Sequence, residues 1–417
     1  MILFFKLFKE SFRFAGQALR GNLLRTTLSL LGVTVGIFSI VAVLTVVDAL
    51  DSSLKKSFSF LGDRVIYVEK WPWQFGGGEY PWWKYIKRPQ PDLEDYLFLE
   101  ANLTQVEAIS LFDVKGGATL KYKNNSMTSV AIMGATHTQT QVSEMKIERG
   151  RFFSKQEADH AKNVVVIGST VAEELFGRAE PMGKQIKIKG IRFNVVGILE
   201  KQGENLLPTP NFDEMCMIPY YSMAKMYASR NRGLSPIISL KGKSTDPSLR
   251  ELEAEARGLL RAHRRLKPKE EDNFALNRTE AFADFMQSLI GVLKFASWCI
   301  GSFALLVGGF GIANIMFVSV KERTNLIGIQ KSLGAKNYFI LLQFLFEAIF
   351  LSVFGGMFGL LLVSLLSLFS TETFIITLSI ENIFLGLTVA SVIGILSGII
   401  PAMMASRMDP VIAIRST

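Results

Sequence analysis

Thr26 to Val47 reads TTLSLLGVTVGIFSIVAVLTVV, 22 residues without a charge. A helix of about 20 apolar residues crosses a hydrocarbon core of about 30 Å, so this stretch is expected to span a membrane. Three more stretches have the same character: Phe295–Val320 with 26 residues, Tyr338–Ser370 with 33 and Glu347 as its only charge, and Asn382–Ser406 with 25. The first run exceeds the about 7–15 apolar residues of a signal peptide and shows no small-residue cleavage site, so it is expected to be retained. Composition agrees, with 49% hydrophobic and only 20% charged residues against about 25% charged in globular domains. Two cysteines and three histidines exclude a disulfide-stapled scaffold and leave little for a metal site.

Basic residues in short flanks stay on the cytoplasmic side. Lys6, Lys9, Arg13, Arg20 and Arg25 precede the first run, Lys321, Arg323, Lys331 and Lys336 separate the second from the third, and Arg407 and Arg415 follow the last. Thr371–Glu381 has no Lys or Arg. Both termini and the loop at 321–337 are therefore expected in the cytoplasm, with Asp48 to about Phe285 outside. That outer segment carries 34 Lys and Arg against 31 Asp and Glu, so most of the net charge of +9 lies with the membrane segments. The basic balance thus reports orientation, and nucleic-acid binding is rejected as its cause.

The expected fold is an α-helical membrane protein with four transmembrane helices plus an α+β extracytoplasmic domain inserted between helices 1 and 2. Residues 1–25 place charges between phenylalanines at helical spacing, an amphipathic helix lying in the interface. The spans are expected at 26–47, 286–320, 338–370 and 382–406, with a loop helix at 321–337, a short outer loop at 371–381 and a tail at 407–417. The domain at 48–285 begins and ends in helical extensions of the spans, Ala49–Phe60 and from Glu280. Strands are expected at Arg64–Glu69, Val106–Phe112, Ala118–Lys123, Met127–Met133, Asn163–Ile167, Gln185–Ile188, Arg192–Leu199, Glu214–Ile218 and Ile237–Lys241. Asn124-Asn125 and Lys189-Gly190 read as turns. Ser154 with Glu157 and Thr170 with Glu173 have capping-box spacing, and Asp246-Pro247 opens a charged helix to about Leu266.

Chemical constellations are missing. Gly242-Lys243-Ser244 would need a glycine where Ile237 stands to form a phosphate loop, and Asp246 occupies the second glycine of a nucleophile elbow. Gly309-Phe310-Gly311 runs into Asn314, so it is no dinucleotide fingerprint. His137, His160 and His263 have no partner at ligand spacing. No catalytic or metal-binding residue is assigned. Glycines recur four apart at Gly32/Gly36, Gly355/Gly359 and Gly394/Gly398, a spacing that lets helices approach closely in a bundle or a dimer. Glu347, inside a span, must face protein or water, and a polar staple between helices suits it better than a proton relay. Trp71, Trp73, Trp82 and Trp83 cluster around Gly76-Gly77-Gly78. They read either as a cargo or partner loop or, by the more usual use of aromatic bulk, as packing or interface residues.

ERTNLIGIQKSLGA (Glu322–Ala335), QFLFEAIFLSVFGGMFG (Gln343–Gly359) and PAMMASRMDPVIAIR (Pro401–Arg415) resemble the signature of the MacB/FtsX-like ABC transporter permeases. ERGRFF, VVVIGSTVAEELFG, PMGKQIKIKG, FNVVGIL and the IPY at Ile218–Tyr220 follow the order of that family's periplasmic core domain. The resemblance implies a bacterial inner-membrane permease, working as a homodimer, whose copies each dock a cytoplasmic ATPase. ATP and Mg would be bound by that partner and no cofactor by this chain. Glu322, Arg323, Thr324, Gly328, Leu333 and Gly334 would form the helix seated in the ATPase. Glu347, Gly355, Gly356 and Gly359 would support packing within the spans or across the dimer. Leu326 departs from the glutamate of the family's ERTxEIG pattern, which removes one charged contact. The macrolide exporter carries an N-terminal ATPase that this sequence lacks, so the ATPase is expected as a separate chain.

On this reading the function is ATP-driven movement outside the membrane, most simply efflux of a drug, peptide or similar cargo from the periplasmic side. A periplasmic adaptor, an outer-membrane channel and membrane lipids are the further partners implied. The alternatives are a lipoprotein-releasing permease, a regulator of a periplasmic cell-wall hydrolase that transports nothing, and a receptor without an ATPase, which leaves the loop motif unexplained.

Overall fold

A computed structural model describes residues 23–58, 61–75, 78–143, 145–203, 210–227, 233–371 and 373–415. The interfacial helix expected at 1–25 lies almost wholly outside them, as do Gly76 and Gly77. The chain divides into two compact units, Met1–Ser52 with Leu289–Thr417, and Ser53–Ser288.

The first unit is a helical bundle. Its spanning helices are Leu23–Ser57, Thr279–Glu322, Asn337–Leu366 and Ile380–Arg407, each containing a segment long and apolar enough to cross a membrane. Helices suit that setting because every backbone polar group is satisfied within the segment. In the first, Val33, Ile37, Ile40, Val41 and Leu44 are buried at helical spacing, while Leu31, Val35, Val43 and Val46 lie on the outer side. They pack on Leu305, Ile312 and Met316 of the second helix and on Phe344, Ala348 and Leu351 of the third.

Small residues set how closely these helices approach. A Cβ on Gly308 would lie 2.8 Å from the amide nitrogen of Val33, and one on Gly359 would lie 2.9 Å from the carbonyl of Thr34. Gly355 faces Val33, Gly356 faces Ala390 and Ile37, and Gly398 faces Ala348. Gly355, Gly356 and Gly359, expected to support packing within the spans or across a dimer, meet helices of their own chain. Polar side chains add ties: Thr34 donates to the carbonyl of Gly355 at 3.0 Å and Ser352 to that of Ala390 at 2.5 Å. Asp48 accepts from Asn382 Nδ2 at 2.9 Å and pairs with Lys294 at 2.8 Å, joining the first, second and fourth helices.

The second unit is built on a ten-stranded mixed sheet. Its strands are β1 Val65–Glu69, β2 Val106–Tyr122, β3 Asn125–Ala135, β4 Ile147–Gly150, β5 Val164–Ile167, β6 Gln185–Ile188, β7 Ile191–Leu199, β8 Met215–Pro219, β9 Ile237–Gly242 and β10 Ala275–Arg278. The order is β10-β1-β9-β2-β3-β8-β5-β7-β4, with β6 pairing β2 and β7. The β3–β8 and β5–β7 pairs are parallel and the others antiparallel. One core gathers Leu120, Ile132, Ile167, Leu175 and Phe193, and another Ile66, Leu99, Leu111, Leu240 and Leu260.

Several boundaries differ from expectation. Val106–Phe112 and Ala118–Lys123 belong to one strand, because Gly116-Gly117 permits a register shift between Lys115 and Ala118 without ending the ladder. The β2–β3 turn falls on Lys123-Asn124, since Asn125 already pairs with Tyr122. Lys189 (φ 47°) and Gly190 (φ 88°) do turn β6 into β7, both left-handed as a tight two-residue hairpin requires. Ser154 and Glu157 form the expected capping box. Thr170 lies inside a helix, Ser169–Phe176, that starts after Gly168. The charged helix begins at Arg250, and Asp246 reaches forward to accept from the amides of Glu251 and Leu252.

Candidate functional site

The second spanning helix ends at Glu322, and Arg323, with φ −102° and ψ 13°, breaks it before a short helix over Thr324–Ser332. The Thr324 hydroxyl lies 2.9 Å from the carbonyl of Lys321, closing the preceding turn. At the far end Gly334 adopts φ 96°. Its amide donates to Lys331 O, and the amide of Ala335 to Gln330 O, each at 3.0 Å. This is the paired bonding by which a left-handed glycine closes a helix.

The loop helix is fastened to the bundle along one side. Arg323 Nη1 lies 3.1 Å from Glu347 Oε2, and the Glu347 side chain is 1% exposed. Glu347 is therefore the polar staple its position suggests, and Arg323, expected to meet a partner, faces inward as the other half. Lys331 Nζ donates to the carbonyls of Ser406 and Met408 at 2.8 and 2.7 Å, satisfying the end of the fourth span where a cation is favoured. Gly328 is buried, and a Cβ there would meet Ala413 Cβ at 2.9 Å and Ile414 Cγ1 at 3.0 Å in the tail helix Pro410–Arg415. Gly328, expected within the helix that seats in a partner, meets the chain's own tail helix in this structure.

Among the described residues nothing packs over the opposite side. Glu322, Leu326, Ile329 and Leu333 are exposed, Leu333 by 83%, and Val411 and Ile412 of the tail helix are exposed with them. Ile329, Val411 and Ile412 were missed from the sequence. Their signal was apolar side chains on a surface helix whose other face was spoken for. Leu326, noted only as a departure, belongs to the same exposed face.

The tryptophans divide into two pairs. Trp73 donates from its backbone to Asn277 Oδ1 at 2.8 Å and from Nε1 to Glu69 Oε2 at 3.2 Å, while Asn277 Nδ2 donates to Trp71 O at 2.9 Å. Trp73 packs on Tyr67 and Phe75, and Phe75 stacks on Phe285. Trp73 is packed within the domain and Trp71 is tied to it through its backbone carbonyl, whereas Trp82 and Trp83 are exposed on the one-turn helix Trp82–Tyr85.

Burial pushes the Glu69 carboxyl up to about 7, against the opposing pull of its hydrogen bonds from Trp73 and Asn277. Between the ordinary value of 4.5 and about 7 the folded protein holds a proton that the unfolded chain releases, so stability is present at lower pH and falls as pH rises through that window. Thermal unfolding of the detergent-purified chain should show a midpoint several degrees lower above the window than below it, and Glu69→Gln should flatten that slope. An unchanged slope in the variant would contradict the assignment.

Among the described residues no cluster of His, Cys, Asp or Glu could hold a metal ion. The MacB-like periplasmic core domain family matches residues 26–255, and the FtsX-like permease C-terminal family matches residues 298–410. The chain is 31% identical over 404 residues to a macrolide export ATP-binding/permease protein MacB of Bdellovibrio bacteriovorus, covering 96% of this chain and 60% of that one. It is 29% identical to the pyoverdine export ATP-binding/permease protein PvdT of Pseudomonas aeruginosa, covering 98% of this chain and 58% of that one. The chain thus spans about 60% of the length of the curated relatives it matches. The crystal structure of the periplasmic region of MacB from Actinobacillus actinomycetemcomitans aligns with 55% of this chain and 95% of its own, at 17% identity and a TM-score of 0.41. With four apolar spans and an α+β domain between the first two, this multi-pass membrane protein belongs to the MacB/FtsX-like family of ABC transporter permeases.

Proposed function

We propose that this chain is the permease subunit of an ABC transporter in the bacterial inner membrane. A separate cytoplasmic ATPase chain binds and hydrolyses ATP and docks on the exposed side of the loop helix. The bundle passes the resulting motion to the ectodomain, which drives efflux from the periplasmic side. The observation that carries this reading is the two-sidedness of the loop helix. Arg323, Gly328 and Lys331 fasten it to the third span, the tail helix and the end of the fourth span, while Leu326, Ile329 and Leu333 are open to a partner. A force applied to the open side is therefore delivered to several elements at once.

Basic residues at both termini and in this loop support their cytoplasmic placement. The names of the relatives, which join ATP-binding and permease functions and specify macrolide or pyoverdine export, support an ATPase partner and efflux. Two copies of the permease, each with its ATPase, complete the assembly, with an adaptor and outer-membrane channel as further partners.

The test is gentle purification of the tagged chain from its native membrane. An ATP-binding chain in equal amount is expected, and Leu326→Asp with Ile329→Asp should release it while the permease elutes at its usual position. Repeated recovery of the chain without such a partner, or retention of the partner by the double variant, would overturn the docking assignment.

A further inference from the structure

The segment Tyr80–Pro91 reads YPWWKYIKRPQP and contains no acid. Pro81 precedes one turn of helix, Trp82–Tyr85, which Ile86 extends in helical conformation. At about 100° per residue, Trp82, Ile86 and Trp83 fall within about 100° of arc, and Lys87 follows on its edge. The reverse side is held to the domain. Lys84 Nζ pairs with Glu271 at 2.8 Å, Arg88 Nη1 donates to Phe274 O at 3.0 Å, and the Arg88 guanidinium stacks 4.5 Å over the Tyr85 ring. The pinned turn holds its front face outward, with Trp82 55%, Trp83 52% and Ile86 51% exposed. The two indoles meet edge to face at 6.0 Å.

Three large apolar side chains on one short ridge call for a covering surface. From this geometry we infer that the Trp82-Trp83-Ile86 ridge inserts into a phospholipid surface bearing anionic headgroups. Trp and Tyr beside Lys and Arg is the composition that settles at a membrane–water interface, rings among the upper acyl chains and cations at the phosphates. Lys87 on the rim supplies a cation to anionic headgroups, while Glu79 and Asp92 stand just outside the segment and Glu271 is engaged by Lys84. A ridge of this kind needs no shaped pocket in its partner. The inference does not rest on the proposed transport function.

The experiment uses the full chain in nanodiscs of phosphatidylcholine alone or with phosphatidylglycerol. Emission from Trp82 and Trp83 is isolated as the difference between the native chain and Trp82→Phe/Trp83→Phe. A nitroxide carried high on the acyl chain should quench that component, more strongly with phosphatidylglycerol present, and the lipids should shield it from aqueous acrylamide. Lys87→Glu should lose the phosphatidylglycerol-dependent part and keep the rest. Matching elution of all variants would show that they fold. A component open to acrylamide and untouched by the lipid nitroxide would overturn the inference. So would one shielded from both, because the ridge would then be covered by protein, either a second copy or a partner.

Discussion

Glu347→Ala is expected to destabilise the bundle by about 3–5 kcal/mol, the usual cost of removing one partner of a buried ion pair. Arg323 is left facing the site of a carboxylate that was 1% exposed. Arg323→Ala is expected to do comparable damage by stranding the carboxylate. Arg323→Leu combined with Glu347→Leu should recover much of the loss, because removing both charges leaves none uncompensated. Thermal unfolding in detergent, followed by the amount eluting at the native position, measures all of these. Single variants as stable as the native chain would show that the pair does not hold the loop helix to the third span. The double variant also separates stability from transmission: a stable bundle lacking this tie should bind the ATPase yet pass on less of its motion.

Gly308→Leu is the second change with a large expected effect. A Cβ at this position would stand 2.8 Å from Val33 N and 2.9 Å from Gly32 C, both backbone atoms that no rotamer change can move. The first and second helices must therefore separate, loosening Val33, Ile37 and Leu305 in the bundle core. Overpacking a well-filled core costs about 1–3 kcal/mol, and displacement of a whole helix puts this site at the upper end. Gly291→Leu is the control, since a Cβ there meets nothing within 4 Å on the same helix. Equal thermal midpoints for the two variants would contradict the close approach at Gly308.

The spans were legible because lipid exposure and burial both demand apolar side chains, so each run announces itself whatever its neighbours. Most strands were legible from alternation and bounding turns. By contrast β4 and β10, reading IERG and ALNR, are four-residue edge partners defined by what they pair with rather than by a pattern of their own. Glu347 could be read as a staple because a carboxyl inside a span must find a partner. That partner, Arg323, stood in a charged loop where a role in docking was equally natural. Gly334 ends its helix as a glycine after a helix commonly does. Gly328 offers no local clue about which neighbour approaches it, so its contact with Ala413 and Ile414 needed three-dimensional information. The exposed face of Leu326, Ile329, Val411 and Ile412 was hidden for the same reason: in a membrane protein, apolar residues near a span are first assigned to lipid.

On the proposed function, ATP hydrolysis by a partner on the loop helix moves the ectodomain. The most direct measurement is the distance between spin labels on the ectodomains of two permease copies, recorded in nanodiscs with the co-purified ATPase, with and without ATP. The distance distribution is expected to shift with ATP, and Leu326→Asp with Ile329→Asp is expected to abolish the shift. Vigorous ATP hydrolysis with an unchanged distribution would contradict it.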